Sequence, residues 1–170
     1  ISSGSYLPEK TMTNFDLAKI VDTSDEWIVE RTGIKQRHIA ADNQLTSDLA
    51  YEASKKAIKN ASIEVNEIDA IILATTTPDY TFPSTATILQ NKLGVGENCF
   101  SFDVQGVCCG FVYALSLANS LIKTKQAKTK NFSEWAIFNI RSLCDFVGTG
   151  LFFFKKRNSQ EFVPQVQWTI

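Results

Sequence analysis

Residues 68–75 are an apolar run rich in β-branched side chains, interrupted only by Asp69. A run this short predicts a central strand covered on both faces rather than a buried helix. Residues 99–104 predict a second buried strand. Around the two lie helical patterns. Residues 46–61 place Leu49, Ala53, Ala57, Ile58 and Ala61 on one stripe, with Glu52, Lys55, Lys56 and Lys59 opposite. Pro83 and Ser84 open another helix that ends near Gly94, and a third long helix runs from Cys108 to about Lys125. Strands alternating with helices of this length imply right-handed crossovers and a mostly parallel, mixed sheet with helices on both faces. The fold class is α/β.

Nearer the N-terminus, residues 1–7 read as the end of a strand, closed by Pro8. Asn14 is placed to cap a short helix through Ile20. Thr23-Ser24-Asp25-Glu26 reads as a capping box, the Thr23 hydroxyl and Glu26 carboxylate each covering orphan donors. The helix it opens carries Trp27, Ile28, Val29 and Arg31, and Gly33 is placed to end it. Trp27 and Arg31 lie one turn apart and so share a face.

Composition narrows the function classes. A chain of 170 residues fits one domain with a real core, and a net charge of −1 argues against a nucleic-acid partner. No stretch is long enough to span a membrane, and no signal-peptide pattern is visible. Four cysteines without paired spacing suggest reduced thiols and a cytoplasmic setting. One histidine and no CxxC pair argue against a metal site. Opening at Ile1 inside an apolar run, the sequence is expected to lack something upstream.

Cys108 and Cys109 follow the 99–104 strand through a small-residue turn and stand where a helix begins. Unpaired N–H groups and the helix dipole favour thiolate there, which is how a nucleophile is built. Residue type alone reads both as inert core thiols.

Several segments carry more information together than singly. They are Gly4-Ser5-Tyr6-Leu7-Pro8, Asp25-Glu26-Trp27-Ile28 with Arg31-Thr32-Gly33-Ile34, Arg37-His38-Ile39-Ala40, Phe82-Pro83-Ser84, and Cys108-x-Gly110-Phe111. In this order and spacing, residues 1 to about 129 resemble the N-terminal half of the β-ketoacyl-acyl-carrier-protein synthase III family. These are thiolase-fold condensing enzymes.

The resemblance implies an acyltransferase that starts fatty-acid biosynthesis. A cysteine takes the acyl group of acetyl-CoA, or another short acyl-CoA, as a thioester, which then condenses with malonyl-acyl carrier protein. By position Cys108 is the nucleophile, while Cys109 stands where the family usually has a small residue and keeps its core reading. Thr23, Trp27 and Arg31 fall on the site for the adenine end of coenzyme A, by stacking, cation–π and phosphate contacts. Phe82 falls where the family lines a partner's acyl pocket across a homodimer; by itself it reads as a hydrophobic staple before Pro83. His38 falls on a structural position. No cofactor is implied beyond acyl-CoA as substrate. The partners implied are acyl-CoA, acyl carrier protein and a second copy of the chain.

The family would continue with a buried strand, an Arg-containing loop, a Gly-Asp-Gly-Ala turn and a second half supplying a His and an Asn. Those two groups stabilise the enolate formed on decarboxylation. Residues 130–170 instead read as a divergent tail, frame-shifted and poorly packed. Arg141 stands at about the family distance before Gly148-Thr149-Gly150-Leu151, whose codons in another frame can spell Asp-Gly-Ala. Residues 152–157 set bare aromatics beside a charge cluster that no packed element explains. Three functions are therefore open: a synthase, a non-catalytic acyl-CoA binder or dimerisation remnant, and an inactive fragment.

Overall fold

A computed structural model of the chain describes residues 2–124 and 126, together with the strands at 136–140 and 149–153. Its main sheet has five strands: β1 (Ser2–Tyr6), β4 (Ala70–Ala74), β5 (Phe100–Val104), β6 (Ala136–Ile140) and β7 (Thr149–Phe153), in the order β1-β7-β6-β4-β5. β4 pairs parallel with both β5 and β6, whereas β7 pairs antiparallel with β6 and with β1. A separate antiparallel pair, β2 (Lys10–Thr13) and β3 (Gln36–Ile39), brackets two short helices, α1 (Asn14–Leu17) and α2 (Asp25–Thr32).

Every residue of β4 is buried, as expected of the 68–75 run. Its alternate side chains enter different cores. Ile71 and Leu73 pack with Ala50, Ala53 and Ala57 of α3 (Thr46–Ala61) and with Ala86 and Leu89 of α4 (Thr85–Leu93). Ile72 and Ala74 pack on the other face with Ala114 and Ala118 of α5 (Gly110–Lys123). The α/β fold with helices on both faces is therefore present, in a mixed sheet. No helix among the described residues is long and apolar enough to cross a membrane.

Several local expectations need correction. Thr13, not Asn14, caps α1: its hydroxyl accepts from Asp16 N–H, and the Asp16 carboxylate accepts from Thr13 N–H. Asn14 is instead buried, and α1 ends at Leu17. Ser24, not Thr23, caps α2, its Oγ accepting from Trp27 N–H at 3.2 Å. Glu26 closes no capping box there. β5 is only half-buried, because the described sheet ends with it. α5 begins two residues later than expected, after a single 3-10 turn at Val107–Cys109.

Beyond residue 130 the structure adds two strands that sequence patterning did not reveal. β6 lies beside β4, and β7, which includes Phe152 and Phe153, pairs on both sides. A five-residue strand held by neighbours on both edges needs no local turn signal of its own. Arg141, Gly148 and residues 154–170 lie outside the described residues.

α3 crosses β1 closely enough that Gly4 has no room for a side chain. A Cβ there would lie 2.5 Å from Ala57 N and 2.9 Å from Ala57 Cβ, with the Ala53 carbonyl oxygen also in the way. Ser2 Oγ donates to Ala57 O at 2.7 Å, and Asn60 Nδ2 to Ser3 O at 2.9 Å, across the same contact. Because the obstructing atoms are helix backbone, Gly4→Ala is expected to cost about 2 kcal/mol or more. Urea unfolding of the two proteins measures this, and equal midpoints would show that α3 can move away.

Candidate active site

β5 delivers the chain to the turn that carries the thiols. Cys109 N–H donates to Gly106 O at 2.9 Å, closing the 3-10 turn. Cys108 and Cys109 are both exposed, at the positive end of the α5 dipole. The exposure of Cys109 corrects its reading as a core thiol. Val107, just before Cys108, has φ +51°, a left-handed conformation that a β-branched residue seldom adopts. Gly106 is demanded by a close approach: a Cβ there would lie 2.5 Å from Tyr113 Cδ2 and 3.0 Å from Gly110 Cα. Buried Phe111 and Ala114 fix the start of α5 to the domain. The thiols are thus held out from a rigid seat. Cys99 differs: burial first, then the negative charge of Asp69, push its thiol up to about 12. Cys144 lies outside the described residues.

The loop between β4 and α4 presents Phe82, which is 87% exposed. Two carboxylates fix that loop. Asp103 of β5 accepts from Thr85 N–H and Ala86 N–H, each at 2.8 Å, covering donors that the start of α4 leaves unpaired. Asp79 Oδ1 accepts from Ser47 N–H in the first turn of α3 at 3.0 Å. Asp103 therefore ties the Phe82 loop to the strand that leads to Cys108. Sequence reasoning passed over both carboxylates, although the acid at Asp103 near the end of the 99–104 strand was a usable signal.

α2 brings Trp27 and Arg31 together as their spacing requires. The Arg31 Cζ lies 4.7 Å from the Trp27 ring centroid, and the indole is 53% exposed. Gly33, at φ +72°, ends the helix. Thr23, just ahead of the cap, has a buried hydroxyl with no hydrogen-bond partner among the described residues. His38 lies on β3 and donates from Nδ1 to Pro8 O at 2.6 Å, a strut between β3 and the segment entering β2.

This architecture, a covered mixed sheet with an exposed cysteine seated at a helix start, is that of the thiolase-like class. A profile described as 3-oxoacyl-[acyl-carrier-protein (ACP)] synthase III matches residues 102–130, the strand end, turn and α5. The chain is 64% identical over 153 residues to a β-ketoacyl-[acyl-carrier-protein] synthase III of Ehrlichia canis, covering 86% of this chain and 48% of that protein. Its identity to the Neisseria gonorrhoeae protein of the same name is 54% over 154 residues, covering 87% and 48%. The crystal structure of 3-oxoacyl-[acyl-carrier-protein] synthase III from Aquifex aeolicus superposes with a TM-score of 0.80 at 40% identity, covering 94% of this chain and 54% of that one. In sequence and in fold the chain is similar to the N-terminal half of β-ketoacyl-acyl-carrier-protein synthase III proteins. It spans about half the length of the curated relatives it matches. The matched share also exceeds the three quarters of the chain over which residue motifs alone carried the resemblance.

The turn itself is testable. A β-branched residue in the left-handed region costs about 1–2 kcal/mol, part of which glycine gives back through its greater unfolded-state freedom. Val107 is half-exposed, so little burial is lost on truncation. Val107→Gly is therefore expected to raise stability by about 0.5–1 kcal/mol. A lower urea midpoint for Val107→Gly would show that the turn carries no such strain.

Proposed function

We propose that this chain carries the acyl-loading site of a β-ketoacyl-acyl-carrier-protein synthase III-type acyltransferase, with Cys108 as the acyl acceptor. The observation that carries the reading is the exposed Cys108 in a strained turn at the start of α5. In the proposed step the Cys108 thiolate attacks the thioester carbonyl of acetyl-CoA or another short acyl-CoA. A new S–C bond forms, and the coenzyme A thiolate leaves and takes up a proton. Trp27 and Arg31 hold the adenine end of the coenzyme, the indole by stacking and the guanidinium by cation–π and phosphate contacts, with Thr23 at the same site. Phe82 lines the acyl pocket of a second copy in a homodimer, a role its exposure supports.

Condensation with malonyl-acyl carrier protein is the second half of the family's reaction. It calls on a His and an Asn from the half of the family's length that this sequence does not span. His38 is read as structural instead, its Nδ1–H donating to Pro8 O as a strut between β3 and the segment entering β2. On this reading the described residues carry the acyl-loading half of the reaction, and its setting is the cytoplasm.

Incubation with acetyl-CoA and mass spectrometry of the peptides tests the reading. An acetyl adduct is expected on Cys108, absent in Cys108→Ser, with loading slowed about tenfold in Trp27→Ala or Arg31→Ala. A folded chain that takes no adduct but binds coenzyme A would be a non-catalytic binder instead. The tail after residue 129 is, on the same reading, a frame-shifted remainder. Translating the coding DNA past that point in another frame should then yield Gly-Asp-Gly-Ala; an intact frame without it would make the tail an alternative ending.

A further inference from the structure

α2 has little apolar anchorage for an element that presents two large side chains. Ile28 is its one buried residue. Beneath it lies a buried amide that does the holding. Asn14 Nδ2 donates to Asp25 Oδ1 and to Ile34 O, both at 2.7 Å. Its Oδ1 accepts from Arg37 Nη2 at 2.8 Å. Asp25 is the first residue of α2, and Ile34 follows the Gly33 that ends it. One side chain therefore grips both ends of the helix, while Arg37, only 2% exposed, fixes that side chain from β3.

The chemistry admits few substitutes. Two acceptors face the Asn14 amide nitrogen and a guanidinium faces its oxygen, so only one amide orientation satisfies all three bonds. Aspartate would lack both donors and would set a second carboxylate against Asp25. Leucine would leave a buried guanidinium and a buried carbonyl without these bonds.

We infer that Asn14, buttressed by Arg37, is a positioning residue that presents the Trp27–Arg31 pair to coenzyme A by clamping α2 at both ends. This rests on the coenzyme reading proposed above for that pair. The pair's own stacking keeps the two side chains together; the clamp sets where they point relative to the rest of the domain. Loss of the clamp therefore lowers coenzyme affinity without changing the reactivity of Cys108, which is seated on β5 and α5.

In the full chain carrying Trp135→Phe and Trp168→Phe, Trp27 is the remaining indole and its emission reports coenzyme A binding. Asn14→Ala and Asp25→Ala are each expected to weaken that binding about tenfold, whereas Asp25→Asn, which keeps the acceptor oxygen, stays within about twofold. The rate at which iodoacetamide modifies Cys108 should be the same in all of them. Unchanged affinity in both alanine variants would overturn the proposal, as would a parallel change in Cys108 reactivity, which would indicate general loosening. If the parent chain binds no coenzyme A, the coenzyme reading fails, and amide exchange still decides the clamp. Asn14→Ala should then speed exchange along α2 while leaving α3 unchanged; equal exchange along α2 overturns it.

Discussion

Alternate side chains of β4 leave the sheet in opposite directions, and each direction meets a different helical layer. Ile71 and Leu73 bind α3 and α4 to one face; Ile72 and Ala74 bind α5 to the other. Fully burying a large aliphatic side chain contributes about 1.5–3 kcal/mol, so three such residues on one short strand supply a large part of a marginal stability. They also decide geometry. α4 carries the loop with Phe82, α5 carries the thiol turn, and both take their position from the same strand. Small residues do the complementary work, since alanines on α3 and α5 let the helices come close.

Charge then refines what apolar burial sets coarsely. Asp103 covers two donors at the start of α4, Asp79 covers one at α3, and Asn14 with Arg37 holds α2. Each group sits outside the element it fixes. A helix packed only by apolar contacts can slide or rotate by a fraction of a turn at little cost, because such contacts are non-directional. Hydrogen bonds to helix ends remove that freedom, and they occur here where a side chain must be aimed. α3 has both kinds of support, a long buried apolar stripe and the Asp79 bond at its start.

The same distinction explains what was legible in the sequence. Periodicity revealed α3 to the residue, β4 as the covered strand, and Gly33 and Gly94 as helix ends, because burial patterns and left-handed caps are written locally. Trp27 and Arg31 could be paired from spacing alone. Asn14 could not be assigned correctly, because its partners lie as far as Arg37 and a cap was the best local use for an asparagine. Cys109 was misplaced for a related reason: free cysteine is usually buried, and only the turn geometry shows both thiols facing out. β6 and β7 were missed because their support comes from strands far away in sequence, with β1 and β4 as neighbours.

α5 has more apolar surface than this sheet covers. Val112, Tyr113 and Leu117 are exposed on the side away from Ala114 and Ala118, and Val107 and Phe82 are exposed as well. A monomer seldom leaves so many large apolar residues uncovered on one helix and its neighbouring turns. On the proposed reading this is the side on which the rest of a synthase-like site would assemble. The elements proposed to load the acyl group, β5, the 3-10 turn, α5 and α2, depend on contacts made within the described residues. The groups proposed to stabilise the enolate depend on sequence beyond them. On the proposed reading loading and condensation are separable in physical terms, because the first needs a seated thiol and a held coenzyme and the second needs further donors to the enolate.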